Sequence, residues 1–154
     1  MSSTECERYL AILRQHDDGA GWEAPSSFDH AAAEQQFRAL VAAVEHAVET
    51  PLRAESGRQI QDASFLGQIS LACTPLVKDP TMPGPVILRV SNWGEMATVS
   101  DEEALTADGL AQIKDLLAQR GYVYVPPQIL ALPYDGKLPT KGAVSWWLRF
   151  FDWL

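Results

Sequence analysis

The last nine residues, Trp146-Trp147-Leu148-Arg149-Phe150-Phe151-Asp152-Trp153-Leu154, hold three of the chain's five tryptophans and two of its five phenylalanines. A free tail of that composition is not kept in water, because apolar surface gains about 25 cal/mol for each Å² removed from it. The segment is therefore expected to be buried, as part of the core or as a sticky face. Positions 143, 146, 147, 150, 151 and 154 are apolar while Ser145, Arg149 and Asp152 fall opposite, which fits a helix better than the alternation of a strand. The aromatic content keeps the strand alternative open.

At 154 residues the chain is expected to form a single domain spanning 1–154. Its longest apolar runs fall short of the roughly 20 residues that a membrane helix needs. The polar, acidic start Met-Ser-Ser-Thr-Glu-Cys-Glu-Arg does not read as a secretory signal, so the expectation is a cytoplasmic protein with no membrane association. Two cysteines, Cys6 and Cys73, are too few for a disulfide framework or a four-ligand zinc site, and reduced thiols are expected.

The net charge of −8 is unevenly spread: residues 1–50 carry nine acids against Arg8, Arg14 and Arg38, whereas residues 51–100 balance four against four. An acidic half repels phosphates, which argues against nucleic-acid binding and leaves a basic protein as the partner the charge would suit. Solubility alone explains a moderate net charge equally well.

Helical periodicity is clearest at Phe37, Leu40, Val41, Val44 and Val48, predicting an amphipathic helix that starts around Ser26 to Asp29 and stops at Thr50-Pro51. Thr4-Glu5-Cys6-Glu7 has capping-box spacing and predicts a first helix ending near His16-Asp17-Asp18-Gly19, followed by a loop to Ser27. Residues 57–74 suggest one or two strands, with alternation over Gln68 to Ala72, and the prolines between Thr74 and Pro85 suggest a rigid loop. Residues 85–90 and 96–99 form a predicted hairpin around Ser91-Asn92-Trp93-Gly94. Ser100-Asp101-Glu102-Glu103 reads as a second capped helix start, continued by Leu110, Ile113, Leu116 and Leu117 and stopped at Gly121. A short strand at Tyr122 to Val125, a turn of helix at Ile129 to Leu132 and a tight turn at Tyr134-Asp135-Gly136 complete the pattern. The expected fold is α+β: a small, mainly antiparallel sheet with the two N-terminal helices and the helix near 106–120 covering one face. Helix two and the C-terminal aromatics are expected to meet in the core.

No catalytic signature accompanies this pattern, and no cofactor is implied. Gly19-Ala20-Gly21 lacks the preceding strand of a phosphate loop. His16-Asp17-Asp18 offers donors suited to a hydrolytic metal, and a small metal-dependent hydrolase using His16, Asp17 and carboxylates from the sheet side is the alternative reading; Asp79, Glu95, Asp135 and Asp152 are a separate candidate carboxylate cluster, of a kind any acidic chain offers. A solvated helix end is favoured for His16 and Asp17, and a surface position for His30 and His46, so no metal ligand is assigned. The favoured binding residues are Asn92, Trp93, Glu95, Tyr134 and Asp135, because turns displaying Trp and Tyr supply interface anchors. Core packing competes, most strongly for Trp146, Trp147, Phe150 and Phe151 and less for Trp93 and Trp22. An exposed aromatic patch could also be covered in a homodimer.

Taken together, residues 90–99, Gly121-Tyr122-Val123-Tyr124-Val125-Pro126, Pro133-Tyr134-Asp135-Gly136 and Trp146 to Leu154 resemble the motif string of a family of small uncharacterised bacterial proteins. The resemblance covers residues 86–154. Some small acidic α+β proteins of this layout are similar to immunity proteins that neutralise toxins, so the resemblance implies a non-catalytic protein-interaction role. It assigns no residue a function.

Overall fold

In the computed structural model, which describes residues 1–17, 28–56, 65–81 and 84–152, short strands build one five-stranded sheet in the order β1-β2-β3-β4-β5. These are β1 (Ala54–Glu55), β2 (Gln68–Ser70), β3 (Ile87–Val90), β4 (Met96–Val99) and β5 (Val123–Tyr124). The first three pairings are antiparallel, and β5 joins β4 in parallel after a crossover through α3 (Ala107–Gln119). The fold is α+β, as expected, with a mostly antiparallel sheet. The loop expected over residues 19–27 and the Ile60 strand signal lie outside the described residues.

α2 (His30–Val48) follows its periodicity, burying Ala33, Phe37, Leu40, Val44 and Val48. The Asp29 carboxylate accepts from Ala32 N (3.0 Å) to cap its start. Two capping expectations need correction. The first box is formed by Ser2 and Glu5, which places α1 (Ser3–His16) two residues earlier than Thr4 would. Ser100 to Glu103 does not open α3; Asp101 instead accepts from Glu103 N (2.9 Å) in a local turn, and Thr106 caps the helix by accepting from Gly109 N (2.9 Å).

Alternation along the strands divides the interior in two. Ile69, Leu88, Val90, Ala97 and Val99 face α2 and α3 and pack with Phe37, Leu40, Val44, Ile113 and Leu117. Met96 and the partly buried Val123 face the other way, toward Leu13 of α1, Ile129 and Leu130 of α4 (Pro127–Leu130), and Trp146, Phe150 and Phe151 of α5 (Trp146–Phe151). Two expectations are corrected here: α1 does not share a face with α2 and α3, and α2 does not meet the C-terminal aromatics. The sheet stands between them.

The C-terminal segment is helical over residues 146–151, and Trp146, Phe150 and Phe151 are fully buried. Trp146 stacks on Phe150 with centroids 5.9 Å apart, and Tyr134 and Trp93 meet this pair edge-on. Among the described residues, no helix is long and apolar enough to cross a membrane.

Candidate interaction site

Of the residues favoured from sequence as displayed anchors, Asn92 and Trp93 are buried, Tyr134 is half-buried, and Glu95 and Asp135 are exposed. Asn92 N donates to the Phe150 carbonyl (2.7 Å) and Asn92 Nδ2 to that of Asp152 (3.0 Å), so the β3–β4 turn grips α5. Trp93 is only 7% exposed and lies beneath the Arg149 guanidinium, 4.4 Å from its ring centre. Asn92 and Trp93 are thus buried against α5 and not displayed at the surface as expected.

Arg149 and Asp17 are both wholly buried and form an ion pair through Arg149 Nε and Asp17 Oδ1 (3.0 Å). Asp17 Oδ2 accepts from the Tyr134 hydroxyl (2.5 Å) and from Lys137 N (2.9 Å). Burial pushes the Asp17 carboxyl upward, but the hydrogen bonds from Tyr134, Lys137 and Arg149 outweigh it and hold the group below the usual carboxylate value. Burial, and then the bond to Asp17, push the Tyr134 hydroxyl upward. Gly136 is required by this contact, because a Cβ there would stand 2.1 Å from Asp17 Oδ2.

The neighbouring Asp135 is exposed and bridged by Arg14 through both oxygens (2.6 and 3.2 Å). Hydrogen bonding to Arg14 holds its carboxyl below the usual range. Asp17 is therefore a structural counter-ion, and the solvated helix end expected there is corrected.

His16 Nδ1 donates to the Ile12 carbonyl (2.9 Å), and its Nε2 stands 3.7 Å from a carboxylate oxygen of the exposed Glu95. His30 and His46 lie exposed on α2. Asp79 accepts from Thr81 in a separate loop, and the Asp152 carbonyl belongs to the α5 joint. Among the described residues, no group of three His, Cys, Asp or Glu side chains could hold a metal ion, so the constellation of the alternative hydrolase is not assembled there. Among the described residues, Met1 is the one exposed large hydrophobic side chain.

Surface depressions offer a different candidate, and the state of their charges separates them. Along α2 and β1, Glu34 bonds Arg38 and Ser56, and Glu45 accepts from Leu52 N. Across β1 and β2, Arg53 pairs with Glu55, and Gln68 accepts from Arg89.

A third cleft, of about 400 Å³, lies between residues 77–79, 84–86 and 101–104. Among the described residues, Ala72, Val77, Pro85 and Val86 supply apolar lining, and Lys78, Asp79, Asp101 and Glu103 supply charged groups. Asp101 and Glu103 are exposed and lie in no ion pair among the described residues.

The walls of this cleft are fixed by backbone bonds. Lys78 N donates to the Ala104 carbonyl (2.9 Å), Thr106 N to that of Leu76 (2.9 Å), and Val77 bridges Leu105. Ser100 Oγ accepts from Ile87 N (3.0 Å) and donates to the Pro85 carbonyl (3.3 Å). Gly109, in the first turn of α3, lets the helix meet this loop, since a Cβ there would stand 2.4 Å from the Leu76 carbonyl oxygen. Sequence reading missed the cleft; the run of acids at 101–103 was its one visible trace. No protein-family model matches the chain, and neither a curated protein nor a solved structure is similar to it.

Proposed function

We propose that the chain is a non-catalytic protein-interaction domain that binds a basic protein partner, in the manner of an immunity protein occupying a toxin. The observation that carries this reading is the net charge of −8. Arg14, Arg38, Arg53 and Arg149 are each paired with a carboxylate of this same chain. Asp101, Glu103, Asp108 and Asp115 are in no ion pair among the described residues, which leaves the negative surplus facing outward. Such a surplus steers a cationic partner and repels nucleic-acid phosphates.

Affinity capture at low salt, followed by elution in a salt gradient, tests the reading. A basic partner is expected, released progressively as salt rises, and an activity of that partner should fall when the complex forms. For an immunity role, co-expression should relieve the partner's toxicity and a neighbouring gene should encode it. Capture that ignores salt, or that recovers acidic proteins, would overturn the proposal.

A further inference from the structure

We propose that residues 134–144 form a strap over the buried Asp17–Arg149 ion pair, and that the strap opens as one unit while the sheet stays folded. Its base is closed by a short antiparallel ladder. Pro133 faces Ser145 in a bridge, Tyr134 N donates to the Val144 carbonyl (2.8 Å), and Trp146 N donates to that of Leu132 (3.1 Å). A segment that leaves and returns through one such base can lift without drawing a helix or strand after it.

No residue from 134 to 144 is buried: Tyr134, Gly136, Leu138 and Val144 are half-buried and the rest are exposed. Among the described residues, Tyr134 is the one strap residue packed against the aromatic core, where its ring meets Trp146 edge-on with centroids 4.7 Å apart. Opening therefore gives up little apolar burial. The polar bonds that hold the strap to the described chain meet at the end of α1. Asp17 Oδ2 accepts from the Tyr134 hydroxyl and from Lys137 N (2.9 Å), that hydroxyl accepts from Leu138 N (3.0 Å), and Arg14 grips Asp135. Because the first three bonds share Asp17 Oδ2 or the Tyr134 oxygen, they are lost together rather than one residue at a time. The strap backbone lies directly on the carboxylate, since a Cβ at Gly136 would stand 2.1 Å from Asp17 Oδ2. Lifting it lets water reach Asp17 and its partner Arg149.

The test is hydrogen exchange of the ¹⁵N-labelled full chain in its native state, followed by NMR at rising urea concentrations below the unfolding transition. The amides of Lys137 and Leu138 are expected to share one opening constant and the Arg149 Nε–H to exchange with it. That constant should be at least about tenfold more favourable to opening than the one for Val90 and Val125, whose amides bond within the sheet, and it should respond weakly to urea. The Trp146 amide, at the base, should stay with the sheet. Asp135→Asn removes the exposed grip of Arg14 and should speed Lys137 and Leu138 about two- to fivefold while leaving Val90 and Val125 unchanged.

Exchange of Lys137 and Leu138 with the constant and urea slope of Val90 would mean that the segment opens only when the whole molecule does. Unprotected exchange at both would mean that nothing holds it, and two different constants that it frays. An Arg149 Nε–H that exchanges only with the sheet would show that the ion pair is covered by something else, and an unchanged rate in Asp135→Asn that Arg14 does not grip the strap. Each of these results overturns the proposal, and none of them bears on the basic-partner reading.

Discussion

The joint around Arg149 and the cleft beside Asp101 both bring charges together, yet they treat them oppositely. At the joint, Asp17 and Arg149 are removed from water and bound to each other, with Tyr134 and Lys137 N completing the carboxylate's shell. At the cleft, Asp101 and Glu103 keep their hydration and have no ion pair among the described residues. A buried charge that is paired holds a fold together and is unavailable to a ligand; an exposed charge beside an apolar wall contributes little to the fold and is open to one. The difference gives each region its role, and it makes separable demands on variants.

The largest effect is expected at the joint. Arg149→Met leaves the Asp17 carboxylate buried without its cation, which typically costs about 3–5 kcal/mol. Urea unfolding should show that loss as a lower midpoint. The double variant Asp17→Asn/Arg149→Met removes both charges and should recover part of the stability, because the penalty lies in the uncompensated ion more than in the lost pair. A double variant no more stable than Arg149→Met would show that the guanidinium acts through its packing on Trp93 rather than through its charge.

Acid should dissolve the same joint from the carboxylate side. The folded Asp17 lies below the ordinary value of 3.8, so its contribution is complete above that value and is lost as pH falls through the folded one. Unfolding midpoints followed from neutral pH downward should fall more steeply below pH 3.8 in the parent than in the Asp17→Asn/Arg149→Met variant. Equal slopes would remove Asp17 as a contributor to acid sensitivity.

These same residues show where sequence reading reached and where it stopped. α2, α3 and the β3–β4 hairpin were legible because each repeats one apolar pattern over several turns or alternations, and the C-terminal helix was legible from its aromatic spacing. Arg149 was not. On a helix wheel it falls opposite the apolar positions, but α5 has only six residues and is enclosed enough that its polar side is buried as well. Asp17 looked like an ordinary polar helix end because its partners are 117, 120 and 132 residues away in sequence. Alternation in a strand says which residues share a face but not which helix covers it, so α1 was assigned to the wrong side. β1 is two residues long and leaves no pattern at all. The cleft is assembled from loops, where neither helical nor strand periodicity applies.

A smaller effect is expected where α3 meets the cleft. Gly109→Ala places a Cβ 2.4 Å from the Leu76 carbonyl oxygen, which is backbone and cannot rotate away. The intrinsic helix preference of alanine over glycine opposes this, but overpacking typically costs about 1–3 kcal/mol, and the loop carrying Val77 and Lys78 must shift. Thermal unfolding should show a net loss, and amide shifts between the parent and the variant should concentrate at residues 76–79. A stabilised variant would mean that the loop yields freely and that the cleft wall is not rigid.

The smallest effect is expected where function is proposed. Asp101→Asn/Glu103→Gln changes two exposed side chains that have no ion pair among the described residues, so stability should move by no more than about 0.5 kcal/mol. The amide oxygen of asparagine can still accept from residue 103 N, preserving the local turn. Two like charges are relieved at the same time, so any gain should be greater at low salt and fade as salt is added. Urea midpoints at low and high salt measure this directly. A destabilisation approaching that of Arg149→Met would place these acids among the groups that hold the fold, whereas near-neutral stability with weaker capture of a basic protein separates the region that builds the molecule from the region that meets its partner.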